Sequence, residues 1–242
     1  MKKILILFFS VCTSFLVMAQ DSIDYADCMP FFPSKEGSIL VNKSYDAQNK
    51  LLNTMIYRVN QILENSPGKS TEIGFTITDD KDNVIDRGEI DASCGEGSNF
   101  YLNMKNRSFS PDVMNILGSN TALVGNFLDY PNIFNDDYLY ATTYMPMTNN
   151  GFNVRSKETG AYINVRVHER NYEKTEKITT PAETFDAAKI SFYFDVSTGK
   201  ETKTYKGIEW IARNAGIVRS ETYDNNGILL NYTVLAELRE GE

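Results

Sequence analysis

A strand–turn–strand block occurs twice in this chain, once near each end, and it constrains the fold more than any other feature. The turn reads Ser-Tyr-Asp-Ala-Gln-Asn at 44–49 and Thr-Tyr-Asp-Asn-Asn-Gly at 222–227, and one residue later each copy continues with Leu-Leu-Asn. The aspartates, Asp46 and Asp224, can accept hydrogen bonds from turn amides, while the closing Asn or Gly suits the left-handed backbone position. A weaker third copy occupies 80–83. All three predict β-hairpin turns.

The stretches between these turns alternate as half-buried strands do. Residues 71–78 carry Ile or Phe at every second central position, and 161–167 alternate apolar with polar side chains. Short alternating strands at regular spacing, with no long helical pattern between them, are typical of an antiparallel sheet or open barrel. We therefore expect a mainly β fold: a single strongly curved antiparallel sheet, or half-barrel, with one or two short helices.

Two segments carry helical signals. Ser-Pro-Asp at 110–112 followed by an apolar run is typical of a helix start, and Gly118 of its end. Residues 51–63 also place apolar side chains on one helical stripe. Their repeat partner, 229–238, alternates as a strand does, so the repeat favours a strand at 51–63, with a helix as the alternative.

The N-terminus predicts export. Two lysines precede the almost wholly apolar run 4–17, which is too short for a good membrane span. We expect a signal peptide at 1–19, cleavage before Gln20, and a single β-rich domain at 20–242. The exported chain would be periplasmic or extracellular.

Cys28 and Cys94 are the two cysteines of the expected mature chain. An even number in an exported protein is typical of a disulfide, which over so long a loop would contribute roughly 4 kcal/mol. Two buried, unpaired thiols are the alternative. The third cysteine, Cys12, lies within the expected signal. Lipid attachment there is disfavoured, because Val11 is larger than the small residue expected before a lipidated cysteine.

Charge and hydropathy limit the kinds of partner that the protein can have. The formal net charge of −8 argues against nucleic acid or an anionic membrane as the partner. Beyond the signal, no apolar stretch is long enough to cross a bilayer, so we expect no transmembrane segment after cleavage.

The sequence offers no pattern for catalysis, a metal or a cofactor. His168 is the only histidine, and on a strand end among charged residues we expect it to be exposed rather than a catalytic base. The acidic turn 79–83 lacks the Gly and Glu of a calcium loop. The glycines lie mostly singly at turns, so no phosphate loop is indicated. A hydrolase with two carboxylates remains the least favoured alternative.

Several motifs resemble the TapB-like family of exported bacterial proteins. The resemblance covers most of the mature chain and lies in Phe31-Phe32-Pro33, Glu36-Gly37, Tyr45-Asp46, Thr180-Pro181-Ala182, Thr184-Phe185-Asp186, Lys189-Ile190-Ser191, Glu209-Trp210, Ala212, Gly216, Val218, Ser220-Glu221, Tyr223-Asp224 and Gly227. It implies a curved antiparallel sheet, an incomplete barrel similar to envelope lipoprotein carriers, and a periplasmic location. The family has no assigned activity, so the resemblance implies no catalytic residue.

These observations favour an exported, non-enzymatic binding or carrier module of the cell envelope. The concave face of an unclosed barrel would hold an apolar ligand, a lipid or a lipidated chain. The alternative is an interaction subunit that binds another envelope protein through a sheet edge or the 126–150 loop. The side chains expected to line the concave face are Phe75, Phe100, Leu102, Phe192, Phe194 and Trp210.

Overall fold

The computed structural model describes the backbone of residues 32–65, 68–94, 100–108, 121–130, 150–156, 162–199 and 201–242. Three predictions lie outside these residues: the signal peptide at 1–19, the short helix at 110–117, and the position of Cys28. The domain boundaries and the disulfide therefore stay predictions. The predicted loop at 126–150 lies outside the described residues over 131–149, and the prediction was wrong for residues 126–130 and 150, which belong to strands.

The described residues form strands joined by turns. In chain order the strands are β1 (Ile39–Asp46), β2 (Leu51–Asn65), β3 (Gly68–Asp79), β4 (Val84–Cys94), β5 (Phe100–Ser108), β6 (Thr121–Tyr130), β7 (Asn150–Ser156), β8 (Tyr162–Thr179), β9 (Thr184–Ser197), β10 (Thr202–Ala212), β11 (Gly216–Tyr223) and β12 (Leu229–Arg239). The structure describes only the backbone of β5 and β6. The strand prediction for 51–63 is confirmed, since this segment lies within β2.

One continuous antiparallel sheet organises the molecule. Strands β8 to β12 lie side by side in chain order, β12 pairs with β1, and β1 to β4 follow, which gives nine strands curled into a half-barrel. Strands β5, β6 and β7 continue from β4 back to β8, so the strand order closes on itself. The prediction of a mainly β fold with a single strongly curved antiparallel sheet is confirmed.

A cluster of buried isoleucines defines the inner face of the sheet. Ile73 of β3 and Ile90 of β4 belong to one cluster with Ile190 of β9 and Ile211 of β10, although these two strand pairs are not neighbours in the sheet. Such side chains can meet only across the interior, so they mark the inner face, and the residues that alternate with them belong to the outer face. Each such buried side chain stabilises the fold by roughly 1.5–3 kcal/mol.

The three predicted turns share one hydrogen-bond pattern. In each, an aspartate Oδ1 accepts backbone N–H groups from the residues two and four positions later, at 2.8–2.9 Å, for Asp46, Asp79 and Asp224. Donation by the Asn83 side chain lowers the pKa of Asp79. The backbone amide of Ile228 lowers the pKa of Asp224 in the same way.

The left-handed position of each turn is also filled as predicted. Asn49 has φ 64° and Gly227 has φ 77°. In the third turn Asp82 takes this position with φ 64°. The sequence repeat predicted that this turn begins at Asp80. It begins one residue earlier, because the accepting carboxylate belongs to Asp79.

Candidate functional site

An inner-face cavity of about 240 Å³ lies against β8, β9, β10 and β11. Its apolar wall consists of Val165 and Val167 from β8 and Phe192 and Phe194 from β9. Val167 lies directly opposite Phe194 in the antiparallel register, and residues in such a pair share a face of the sheet. The alternation of β8 and β9 therefore brings these four side chains to one wall.

A glycine gives the Phe192 ring its position. Gly207 lies opposite Phe192 in the β9–β10 pairing, and a Cβ on Gly207 would lie 2.4 Å from the ring. The missing side chain allows the ring to lie over the backbone of β10. Next to it, Phe194 stacks on Tyr205 with ring centroids 5.3 Å apart. The aromatic wall is thus fixed by cross-strand contacts.

The remainder of the cavity is polar. Arg170 is 2% exposed and lines the cavity together with Glu209, Ser220 and Thr222. A guanidinium so deeply buried requires partners, because an uncompensated charge in the interior is costly. The cavity is therefore amphipathic: it offers an apolar wall to a hydrocarbon group and charged and hydroxyl groups to a polar one.

The sequence did not point to Arg170. The residue before it, Glu169, has φ 53°, and the β8–β9 register shifts between His168 and Asn171. This irregularity breaks the alternation by which a sequence assigns side chains to faces. Arg170 lies in a polar stretch of the sequence, and nothing else in that stretch indicates that its side chain is buried.

His168 is more buried than expected. Its side chain is only 20% exposed, with Nε2 3.4 Å from Asp195 Oδ2 and Nδ1 3.6 Å from Glu169 Oε1. The Thr204 hydroxyl donates to Asp195 Oδ1 at 2.7 Å and lowers the pKa of that carboxyl. In a catalytic triad the hydroxyl is hydrogen-bonded to the imidazole, and the imidazole to the carboxylate. Here the Thr204 hydroxyl is bonded to the Asp195 carboxylate instead, so these three residues are not connected as a triad. His168 lies opposite Tyr193, on the face away from the cavity.

The structure brings two of the predicted lining residues together and separates others. Phe192 and Phe194 line the cavity. Phe75 lies on the inner face but is 6% exposed within the core cluster. Phe100 and Leu102 belong to β5, and their side chains lie outside the described part. Only the backbone of Cys94 is described, in β4.

Trp210 lies on the outer face. It is paired with Lys189 and Arg219, whose charged groups lie 5.5 and 5.8 Å from its ring, and its Nε1 donates to Glu176 at 2.8 Å. Together with a second buried cluster that includes Ala187 and Ile208, these contacts leave the ring 7% exposed without placing it at the cavity. The neighbouring residue, Ile211, takes the inner position instead.

The described residues contain no group of three or more His, Cys, Asp or Glu side chains that could hold a metal ion. No helix among them has the length and apolar character needed to cross a membrane.

Comparisons with known proteins assign the chain to a family. A family model described as DUF3108-like matches residues 35–235, which include the cavity and most of the sheet. The chain belongs to the DUF3108-like family. A comparison with curated proteins finds no match, and the family description states no activity.

Two solved structures are similar over nearly their whole length. One, a candidate lipoprotein from Parabacteroides distasonis, is 32% identical with a TM-score of 0.74, and the match covers 86% of this chain and 98% of that one. The other, a candidate exported protein with a YmcC-like fold from Bacteroides fragilis, is 28% identical with a TM-score of 0.71, and the match covers 87% and 99%. These likenesses agree with the exported class and curved sheet that the TapB-like resemblance implied, while the TapB-like name itself stays a prediction.

Proposed function

We propose that this protein is an exported, non-enzymatic binding or carrier module of the cell envelope. Its inner cavity would hold the apolar part of a lipid, a lipidated chain or another apolar ligand. The observation that carries the proposal is the cavity between Phe192, Phe194, Val165 and Val167, with Arg170 at its polar side. A periplasmic or extracellular location is supported by the descriptions of the two similar structures as exported or lipoprotein.

The size of the cavity limits what it can hold. Sites for drug-sized ligands occupy about 300–1,000 Å³, and the cavity here is about 240 Å³. We therefore expect it to enclose one hydrocarbon segment, with the polar end of the ligand near Arg170 and Glu209. A charged group that is already buried and held can select a polar end without reorganising.

Native mass spectrometry of the mature protein, purified from its own envelope, tests the proposal. We expect an additional mass that organic solvent removes. Phe194→Ser should lose that mass, because it removes the ring of Phe194 from the cavity wall. Tyr193→Ser is the matched control: it changes the adjacent residue, which lies on the outer face and is 39% exposed, and should retain the mass.

Gly207→Ala provides a second variant should Phe194→Ser fail to fold. The added methyl forces the Phe192 ring to move, and the bound mass should fall while the far-ultraviolet circular dichroism spectrum stays that of the wild type. A bare mass in the folded wild-type protein would contradict the carrier proposal. Protein partners that bind by strand addition would then be the alternative to pursue.

A further inference from the structure

A second concavity lies on the outer face, across β2, β3 and β4. It measures about 460 Å³ and is separate from the inner cavity, with a lining that includes Arg58, Asn60, Gly74, Arg87 and Glu89. The register explains its shape. Arg58, Gly74 and Glu89 lie in one row across the three strands, and Ile56, Thr76 and Arg87 lie in the next. We call this concavity the arginine groove.

Gly74 forms the floor of the arginine groove. With no side chain at the centre of its row, the surface between Arg58 and Glu89 is lowered. A Cβ at Gly74 would lie 3.0 Å from Asn60 Nδ2, so the amide of Asn60 lies over the space that a larger residue would fill. Asn60 reaches this point because the β2–β3 register shifts between Val59 and Gln61. A strand glycine of this kind often marks a site where another group approaches the backbone.

The two arginines of the arginine groove differ from Arg219 and Arg239, which lie on other strands of the sheet. Arg219 and Arg239 donate to Glu221 and Glu237 respectively. In the described part of the chain, by contrast, neither Arg58 nor Arg87 makes an ion pair or a hydrogen bond through its side chain.

The two groove arginines are placed to act together. Arg58 and Arg87 belong to strands that are two apart in the sheet, and these strands lie about 10 Å apart. The two arginines lie in adjacent rows, and their long side chains can reach one anion over the low centre at Gly74. Thr76 lies between them and adds a hydroxyl. A guanidinium presents its donors in a planar fork that matches carboxylate and phosphate oxygens.

We propose that the arginine groove binds an oxyanion, a phosphate or carboxylate group, with Arg58 and Arg87 as the paired donors and the Asn60 amide as a third. In a chain with a formal net charge of −8, two guanidinium groups in one concavity give an anion a favoured place to bind. The Glu89 carboxylate also lines the groove, and it already makes an interaction of its own. The site is independent of the inner cavity, since the two lie on opposite faces of the sheet.

Nuclear magnetic resonance of the full mature chain tests the arginine groove directly. Titration with inorganic phosphate or glycerol phosphate should shift the Gly74 amide resonance saturably. The double variant Arg58→Ala/Arg87→Ala should lose this shift. The control Lys50→Ala/Arg239→Ala removes the same amount of positive charge from exposed positions outside the groove and should keep it. Phe194→Ser should also keep it, which separates this site from the inner cavity.

Vesicles identify the source of the oxyanion. Co-sedimentation with phosphatidylglycerol vesicles but not phosphatidylcholine vesicles, lost in the groove double variant, would assign the site to a lipid headgroup. A phosphate-induced shift without vesicle binding would assign it to an anion in solution. The proposal is overturned if Gly74 does not respond to either phosphate probe, or if the groove double variant responds as the wild type does.

Discussion

At the scale of single residues, Glu221 on the outer face is shared by two donors. Arg219 donates to Oε1 at 2.7 Å, and the Tyr223 hydroxyl donates to Oε2. Burial, reinforced by the bond to Glu221, raises the pKa of Tyr223 to about 12. Arg219 also lies over Tyr232, 5.2 Å from the ring centroid. The Glu221 carboxylate thus holds two side chains of its own strand, β11, and one of them, Arg219, also contacts Tyr232 on β12.

The Tyr223 phenol should therefore ionise at a higher pH than an ordinary tyrosine. Its pKa rises from an ordinary 10.0 to about 12, so its contribution to stability is fully present below pH 10.0 and is lost as the pH rises towards 12. Ultraviolet difference titration should show a tyrosine ionising near pH 12 that is absent in Tyr223→Phe. Ionisation of all tyrosines near pH 10 in the native protein would contradict this assignment.

At the scale of elements, the sequence was most informative where the chemistry is local. An aspartate that accepts amides two and four residues later needs only its own turn, so the pattern around Asp46 and Asp224 could be read without the fold. The inner and outer faces were harder to assign. Trp210 and Ile211 are adjacent in the sequence and both apolar. Only the cross-strand register of β10 decides which of them points inward.

The alternation of polar and apolar residues also fails to predict which face a side chain lies on where a strand is irregular. The register shifts beside Asn60 and Arg170, and these are the positions where a polar residue enters a site. The arginine groove had no sequence signal, because Arg58 and Arg87 come from strands separated by all of β3. Long-range pairing, which a single sequence does not reveal, brings them to one groove.

The repeated turns yield a prediction for the β11–β12 hairpin. Gly227 has φ 77°, and no atom lies within 4 Å of the position that a Cβ would take there, so a substitution is opposed by backbone strain alone. Gly227→Ala should lower the free energy of unfolding in urea by about 1 kcal/mol. Gly227→Asn should cost clearly less, because Asn49 occupies the matching position of the first turn with φ 64°. Equal losses in both variants would contradict the assignment of a shared turn type.

At the scale of the whole molecule, the number of paired residues differs widely from one strand junction of the ring to the next. β2 and β3 are matched over twelve residue pairs, and β1 and β12, where the two ends of the described chain meet, over eight. β5 and β6 are matched over three, Phe100–Leu102 against Leu128–Tyr130. The β5–β6 seam is therefore the junction with the fewest cross-strand pairs in the ring, and the next fewest, five, join β11 and β12.

The β5–β6 seam should be where the ring opens first. Local opening requires the loss of all hydrogen bonds at a junction, so its free energy falls with their number, and amides at a sparsely paired seam exchange through small openings. Hydrogen exchange followed by mass spectrometry should label peptides from β5 and β6 well before those from β2 and β3. Peptides from β1 and β12 serve as the control, because the ring also closes there but over more pairs, and they should stay protected. Equal protection at both junctions would mean that the ring opens only by global unfolding, and an edge exposed at β5 or β6 could then not serve for strand addition by a partner.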